Sequence, residues 1–302
     1  MKNIGSLGED RLIKRIRESA YEGKDVLAGI GDDCAVTKTP GKKRVTLLKV
    51  DCIIQGVHFL ADTPPALVGR KAVMRAASDF AAMGGTPTTA LVTIGMPQST
   101  AIRWLDSFYK GLNSAMAECG ISLVGGESSR TQENHIFAAV TLLGHAPAGQ
   151  WVSRGGGKPG DVLYVTGVLG GSIRSHHLRF QPRLEEGRWL ARQIRPSAMM
   201  DLSDGLARDL PRMAEASGTG WRVEPGRLPR RRGCTVEQAA TDGEDYELLF
   251  AVAPARAEKL EAIWPRRFPK TRLTRIGQLA PKGMSSGLPA GGWDHFSETQ
   301  AS

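Results

Sequence analysis

Cysteine is scarce: four in 302 residues, none in a C-x-x-C pair, which excludes a disulfide framework and a thiolate zinc site. Cys34, Cys52, Cys119 and Cys234 therefore read as reduced thiols, as expected of a cytoplasmic protein. Long apolar runs are also missing. No stretch approaches the ~18 residues of a membrane span, and Lys2, Glu9, Asp10 and Arg11 interrupt any signal-peptide core. Aromatic residues make up only 6% and are not interleaved with the basic clusters, so the stacking platform of a single-strand nucleic-acid binder is absent. There is no Walker A sequence, G-x-G-x-x-G fingerprint, kinase H-R-D set, G-x-S-x-G elbow or H-E-x-x-H, and no internal repeat. These absences argue against the common nucleotide-binding folds.

What is present is an ordinary globular composition, 41% hydrophobic and 24% charged, in a chain long enough for about two domains. The net charge of +9 fits anionic partners such as nucleotides and phosphorylated metabolites. Much of that excess lies in two clusters, Arg227 with Arg230–Arg232 and Arg266 to Arg275, both of which read as solvated faces. Against this basic background, acids recur beside glycines or in apolar settings: Asp32, Asp33, Asp51, Asp79, Glu127, Asp201, Asp204 and Glu244. A site that gathers a divalent metal to hold a polyphosphate has use for such a set.

The central stretch is GIGDDCAV, residues 29–36, where Asp32 and Asp33 follow a strand expected over 26–30. Adjacent extended residues point to opposite faces, so one acid of the pair would aim into a given site; a solvated Asx turn is the alternative. Ser6 and Glu9 have capping-box spacing ahead of a helical stripe of Leu12, Ile13 and Ile16. Strands are expected over 34–37 and 44–50, the latter ending at Asp51, with His58 either a half-buried strand residue or a ligand contact. Pro64 and Pro65 open a helix to about residue 83 whose apolar face holds Val68, Ala72, Ala76, Phe80 and Met83. Asp79 falls within that face and needs a cation, either Arg75 or a metal.

A second long helix should run from Ser99 or Thr100 to Gly120. A short strand over 121–124 then leads into Gly125-Gly126-Glu127-Ser128-Ser129-Arg130, which brings backbone N–H groups, an acid and hydroxyls together. The Gly- and Pro-rich stretch 147–161, carrying Arg154, is the expected domain junction. Beyond it lie strands over 162–166, 197–200, 246–252 and 271–279, and helices over 184–194 and 256–263. Ser203 suits the N-cap of the helix that follows Asp201, and Pro211 should kink or restart that helix.

GIGDDCAV, VDCIIQGVHF, SDFAAMGG, GGESSR, RGGGKPGD, VTGVLGG, MDLSDGLARDL, GEDYELLF and GWDHF occur in this order over nearly the whole chain. Together they resemble the thiamine-monophosphate kinase family, within the aminoimidazole-ribonucleotide synthetase superfamily. The resemblance implies a two-domain α/β (α+β) fold. Its N-terminal domain, 1–148, binds ATP and metal and contributes to the β-barrel of a homodimer; the C-terminal α/β domain is 149–302. It also implies ATP-dependent phosphorylation of thiamine monophosphate with Mg²⁺, by direct in-line transfer and without a membrane or nucleic-acid partner. Asp33, Asp51, Asp79, Glu127, Asp201 and Asp204 match its metal positions, and Gly126, Glu127, Arg154 and Ser203 its ATP positions. His58, Glu244 and Trp293 match positions that hold the substrate. Lys49 and Val50 stand where the family carries Ser or Thr, and Glu127 where it carries Asp. A non-catalytic nucleotide binder and another ATP-dependent reaction of the superfamily are the alternatives.

Overall fold

The computed structural model describes residues 8–41, 43–132 and 135–296. Ser6 of the expected capping box lies outside them. The first helix, α1 (Glu9–Ser19), has Gly8 at its N-cap without a side-chain cap.

Residues 26–147 build one six-stranded sheet from β1 (Val26–Ala28), β2 (Ala35–Lys38), β3 (Arg44–Ile54), β4 (Thr86–Met96), β5 (Ser122–Arg130) and β6 (Phe137–Pro147). Their order is β1-β2-β3-β6-β4-β5, with only β4 and β5 parallel. Two helices, α2 (Pro65–Ala82) and α3 (Ile102–Cys119), join β3 to β4 and β4 to β5. Strict alternation of buried and half-buried residues along β6 shows the two faces of this sheet. Val45, Leu47 and Ile53 of β3 are buried, and α2 packs against β3, β4 and β6. The other face leaves Val50 61%, Leu91 42% and Ile54 38% exposed.

The second sheet has the order β12-β9-β11-β7-β10-β8, antiparallel except for β12 against β9. Its strands are β7 (Val162–Thr166), β8 (Ala198–Asp201), β9 (Gly220–Val223), β10 (Leu248–Val252), β11 (Leu273–Ala280) and β12 (Ser285–Ser286). The helices of this half are α4 (Leu184–Trp189), α5 (Leu206–Ser217), α6 (Val236–Thr241) and α7 (Pro254–Arg267). One core cluster passes from the first sheet through α2 into Met199, Tyr246 and Trp264 of the second half.

The single apolar face expected for α2 is too narrow a description. From Val68 to Ala82 all but one residue is buried, because α3 and the sheet cover one side while α4 and β8 cover the other. The crossing with α4 is close: a Cβ on Gly187 would lie 2.0 Å from the Ala81 carbonyl oxygen. Gly187→Ala would thus force the helices apart, at about 1–3 kcal/mol.

Three local expectations are corrected. The short strand expected over 121–124 runs on to Arg130, because 125–130 pairs with 91–96 of β4. The helix after Asp201 starts at Leu206 with Gly205 at its N-cap, so Ser203 is not the cap. Gly205 has φ of 95°, and a Cβ there would meet the Thr241 carbonyl oxygen at 2.8 Å. Pro211 neither breaks nor restarts α5, whose helical span runs on to Ser217. The proline ring fits helical φ, while its nitrogen offers no donor to the Ala207 carbonyl one turn back.

Candidate active site

Three charged residues of α2, Lys71, Arg75 and Asp79, sit at i, i+4 and i+8 and so share one helix face over ~12 Å. This stripe runs along the junction between the two sheets. Its charges are answered from outside the helix, those of Arg75 and Asp79 by β3 and that of Lys71 by the segment before β10. Lys71 meets Glu244 at 2.6 Å, Arg75 meets Asp51 at 3.4 Å, and Asp79 meets Lys49 at 2.7 Å. Arg75 also donates to the Cys52 carbonyl oxygen at 2.9 Å, so it serves β3 and is not the ion-pair partner of Asp79.

At the Asp79 end the structure gathers Asp33, from the turn after β1, and Asp201, the last residue of β8. One carboxylate oxygen of each of these three buried acids lies within 4.8 Å of the others. Among the described residues no other group of acids, histidines or cysteines is this close. Asp33 accepts a hydrogen bond from Arg154 at 2.6 Å through one oxygen, and its second oxygen is buried without a partner. Asp32 faces elsewhere: one oxygen accepts the backbone N–H groups of Asp33 and Arg154, each at 3.0 Å.

Burial, followed by the charge of Asp33, pushes Asp32 up to about 6. Burial and then Asp33 likewise push Asp201 up to about 7. Asp79 is driven up by burial and by Asp201 and Asp51, against the pull of Lys49. Burial works against the charge of Lys49, yet Asp79 and Asp51 outweigh it and raise its pKa. Lys49 is therefore a permanent cation at the edge of the acid cluster.

The Lys71 end is a second polar cluster. The fully buried Lys71 ammonium donates to the His58 carbonyl oxygen at 2.6 Å and to Glu244, and lies 2.8 Å from His177 Nδ1. Burial lowers Lys71 to about 8, with Glu244 opposing the change. Burial resists the charge on Glu244, but His177 and Lys71 prevail and hold it near 2. The charge of Glu244 is thus already met by this chain's own Lys71 ammonium.

Its backbone is strained. Glu244 has φ of 63° and Tyr246 of 51°, left-handed values costing about 1–3 kcal/mol each in non-glycine residues. The strap is pinned by Glu244 N–H to the Ser203 carbonyl at 2.6 Å and Tyr246 N–H to the Leu202 carbonyl at 2.8 Å.

His58 lies in a turn after β3, not in a strand. Its Nδ1 accepts the Ile54 N–H at 3.0 Å, which places the ring proton on Nε2, and its ring sits 5.3 Å from that of His295. Burial and Arg75 lower its pKa to about 3, so it is neutral. Trp293 is anchored by its N–H on the Asp204 carbonyl at 2.9 Å, and its indole N–H donates to His295 at 3.2 Å. Asp204 itself is held by Arg212 at 2.5 Å.

Gly126 and Glu127 are not brought to the acid cluster within the chain. In the ladder Glu127 is in register with Thr93, Ala139 and Cys52, on the face turned away from α2; Asp51 is in register with Val140, Val92 and Gly126. Glu127 is exposed, with Ser129 donating to it at 3.3 Å. Gly126 is required by the close approach of β4, since a Cβ would lie 1.8 Å from the Val92 carbonyl oxygen.

Residues 31–146 match the N-terminal domain of AIR synthase related proteins, and residues 158–286 match the C-terminal domain. The chain is 35% identical to thiamine-monophosphate kinase of Rhodopirellula baltica, over 90% of this chain and 89% of that one. It is 34% identical to the enzyme of the same name from Salmonella typhimurium, over 95% and 96%. The chain belongs to the thiamine-monophosphate kinase family. Its fold also matches a solved structure described as AaThiL complexed with AMPPCP and TMP, with a TM-score of 0.83 and 28% identity over 98% of this chain and 99% of that one.

Within this family frame, the sequence did not single out Lys71 or His177. A lysine in the middle of an apolar helix carries one usable signal, its i, i+4, i+8 alignment with Arg75 and Asp79. His177 has none, since it reaches Lys71 from 106 residues away.

Proposed function

We propose that the protein transfers the γ-phosphoryl group of ATP to the phosphate of thiamine monophosphate, giving thiamine diphosphate, by direct in-line displacement. The observation that carries this reading is the meeting of Asp33, Asp79 and Asp201 from both halves of the chain, with a buried carboxylate oxygen left unpartnered. The donors are all hard oxygens, which suits Mg²⁺. These three residues would hold it, with Asp51 and Asp204 as nearby acids; when bound, it supplies charge neutralisation to the phosphates.

The remaining chemistry belongs to the chain. The acceptor phosphate is already an anionic nucleophile, so no strong general base is required and catalysis reduces to positioning and electrostatics. Arg154, fixed on Asp33, offers its guanidinium beside the acid cluster for ATP, for which Ser203 is a second contact by the family resemblance. The neutral His58, with its Nε2–H free to donate, and Trp293 line the substrate end. Glu244 holds Lys71 there as a buried cation, which fixes the His58 turn through its carbonyl.

The division at 148/149 would split the site, with Asp33, Asp79 and the face for dimer contacts in 1–148, and Asp201 and Arg154 reaching the same acid cluster from 149–302. A homodimer is supported by the open face of the first sheet, where Val50, Leu91 and Ile54 are exposed. Glu127 stands on that face in the edge strand, so its metal role would be exercised in the site of a second copy. Among the described residues no helix is long and apolar enough to cross a membrane. The cytoplasm, where ATP is at hand, is the place we assign. ADP formation that requires both Mg²⁺ and thiamine monophosphate tests the reading. Turnover indifferent to thiamine monophosphate overturns it.

A further inference from the structure

The two arginine clusters that the sequence separates by some forty residues meet in the fold. The loop 226–234 and the first residues of β11 enclose a groove of about 810 Å³ lined by Arg227, Arg230, Arg231, Arg232, Arg272 and Arg275. The loop is pinned and not merely draped. Leu169 N–H donates to the Pro229 carbonyl at 2.7 Å, and Arg231 N–H returns to the Leu169 carbonyl at 2.9 Å. The backbone that carries its arginines is therefore fixed beside the turn that follows β7.

Only two of the six cations are met by carboxylates, Arg227 by Glu224 at 2.6 Å and Arg231 by Asp245 at 3.4 Å. Among the described residues the guanidinium groups of Arg230, Arg232, Arg272 and Arg275 have neither an ion pair nor a hydrogen bond. The same wall contains the Thr274 hydroxyl, buried and without a hydrogen-bond partner.

We propose that this groove is a binding site for a small anion carrying two or more phosphate groups. Converging guanidinium forks match phosphate oxygens in pairs, and the volume falls in the usual range for a small-molecule site. No aromatic side chain lines it, so there is no platform for stacked bases, and the phosphates supply the recognition. The groove shares no lining residue with the acid cluster or the Lys71 cluster, so the proposal stands apart from the kinase reaction.

The test is calorimetric titration of the full chain with inorganic tripolyphosphate in Mg²⁺-free, low-salt buffer. Wild type is compared with the Arg230→Gln/Arg232→Gln/Arg272→Gln variant. Wild type should take up one equivalent that the variant binds at least ~10-fold more weakly, with unchanged melting temperature, and added salt should weaken that binding. The same isotherm from both proteins overturns the proposal. So does saturable binding of an RNA oligomer with none of tripolyphosphate, which would assign the groove to a macromolecular polyanion.

Discussion

Lys49 places a fixed ammonium 2.7 Å from Asp79, inside a cluster whose other members are carboxylates. Lys49→Met keeps most of the side-chain volume and removes the charge. In the metal-free protein this leaves Asp79, with 9% side-chain exposure, next to Asp33 and Asp201 with one cation fewer. Breaking a buried pair costs about 3–5 kcal/mol, and because Lys49 retains 24% exposure the lower end, about 3 kcal/mol, applies. Mg²⁺ should offset much of that loss, since the vacated charge raises the cluster's attraction for a divalent ion. A cation at 100 times its Kd adds about 2.7 kcal/mol to the folded state. The assay is denaturant unfolding of both proteins, with and without Mg²⁺ at constant ionic strength. Lys49→Met should be destabilised without metal and should gain more from Mg²⁺ than wild type does. Equal metal-free stabilities, or an equal gain from Mg²⁺, would refute the view of Lys49 as a built-in counter-ion.

Asp33→Asn removes the acid that bears the unpartnered oxygen and should lower turnover at least ~10²-fold, with a matching rise in the Mg²⁺ concentration needed for half-maximal rate. Retained turnover at ordinary Mg²⁺ would remove Asp33 from the site. The low pKa of Glu244 gives an acid-lability prediction. Its folded value of about 2 lies below the ordinary 4.5, so its stabilising contribution is present above pH 4.5 and is lost as pH falls from there towards 2. The contribution is on the order of 3 kcal/mol at most. Glu244→Gln should flatten that part of the pH–stability curve, and an unchanged slope would show that the Lys71–Glu244–His177 cluster does not hold the fold.

The family motifs and the long helices were legible because they depend on local order: periodicity gave α2 and α3, and glycines marked their ends. What was not legible depended on pairing across the chain. GGESSR looks like a loop by composition, yet parallel pairing with β4 makes it strand, and only that register puts Glu127 on the face opposite Asp51. Asp79 needs a cation, and the order of residues offers only Arg75, four residues back on its own helix, or a metal. The structure supplies Lys49 instead, from a strand thirty residues away, because β3 turns Lys49 and Asp51 towards α2. Ser203 had the right residue type for a cap, but its carbonyl holds the strained Glu244 strap and the helix begins three residues later. The basic clusters read separately as solvated faces; the pairing of β11 with β7 and β9 brings them to one groove.

Glu127 decides whether the site belongs to one chain or two. Within a chain it lies on the sheet face away from α2 and the acid cluster, so the proposed role as a ligand-side acid calls for a second copy across an isologous interface. Glu127→Gln and Asp79→Asn should then each abolish turnover in the pure homodimer. Unfolded, mixed in equal amounts and refolded together, the two variants would form mixed dimers in which one site is built entirely from intact residues. Random pairing restores about a quarter of wild-type turnover per chain. If Glu127 serves its own chain after a local rearrangement, no mixed dimer has an intact site and activity stays at the level of the separate variants. If it is only a solvated strand residue, Glu127→Gln alone is fully active, and the acid in this position has no part in catalysis.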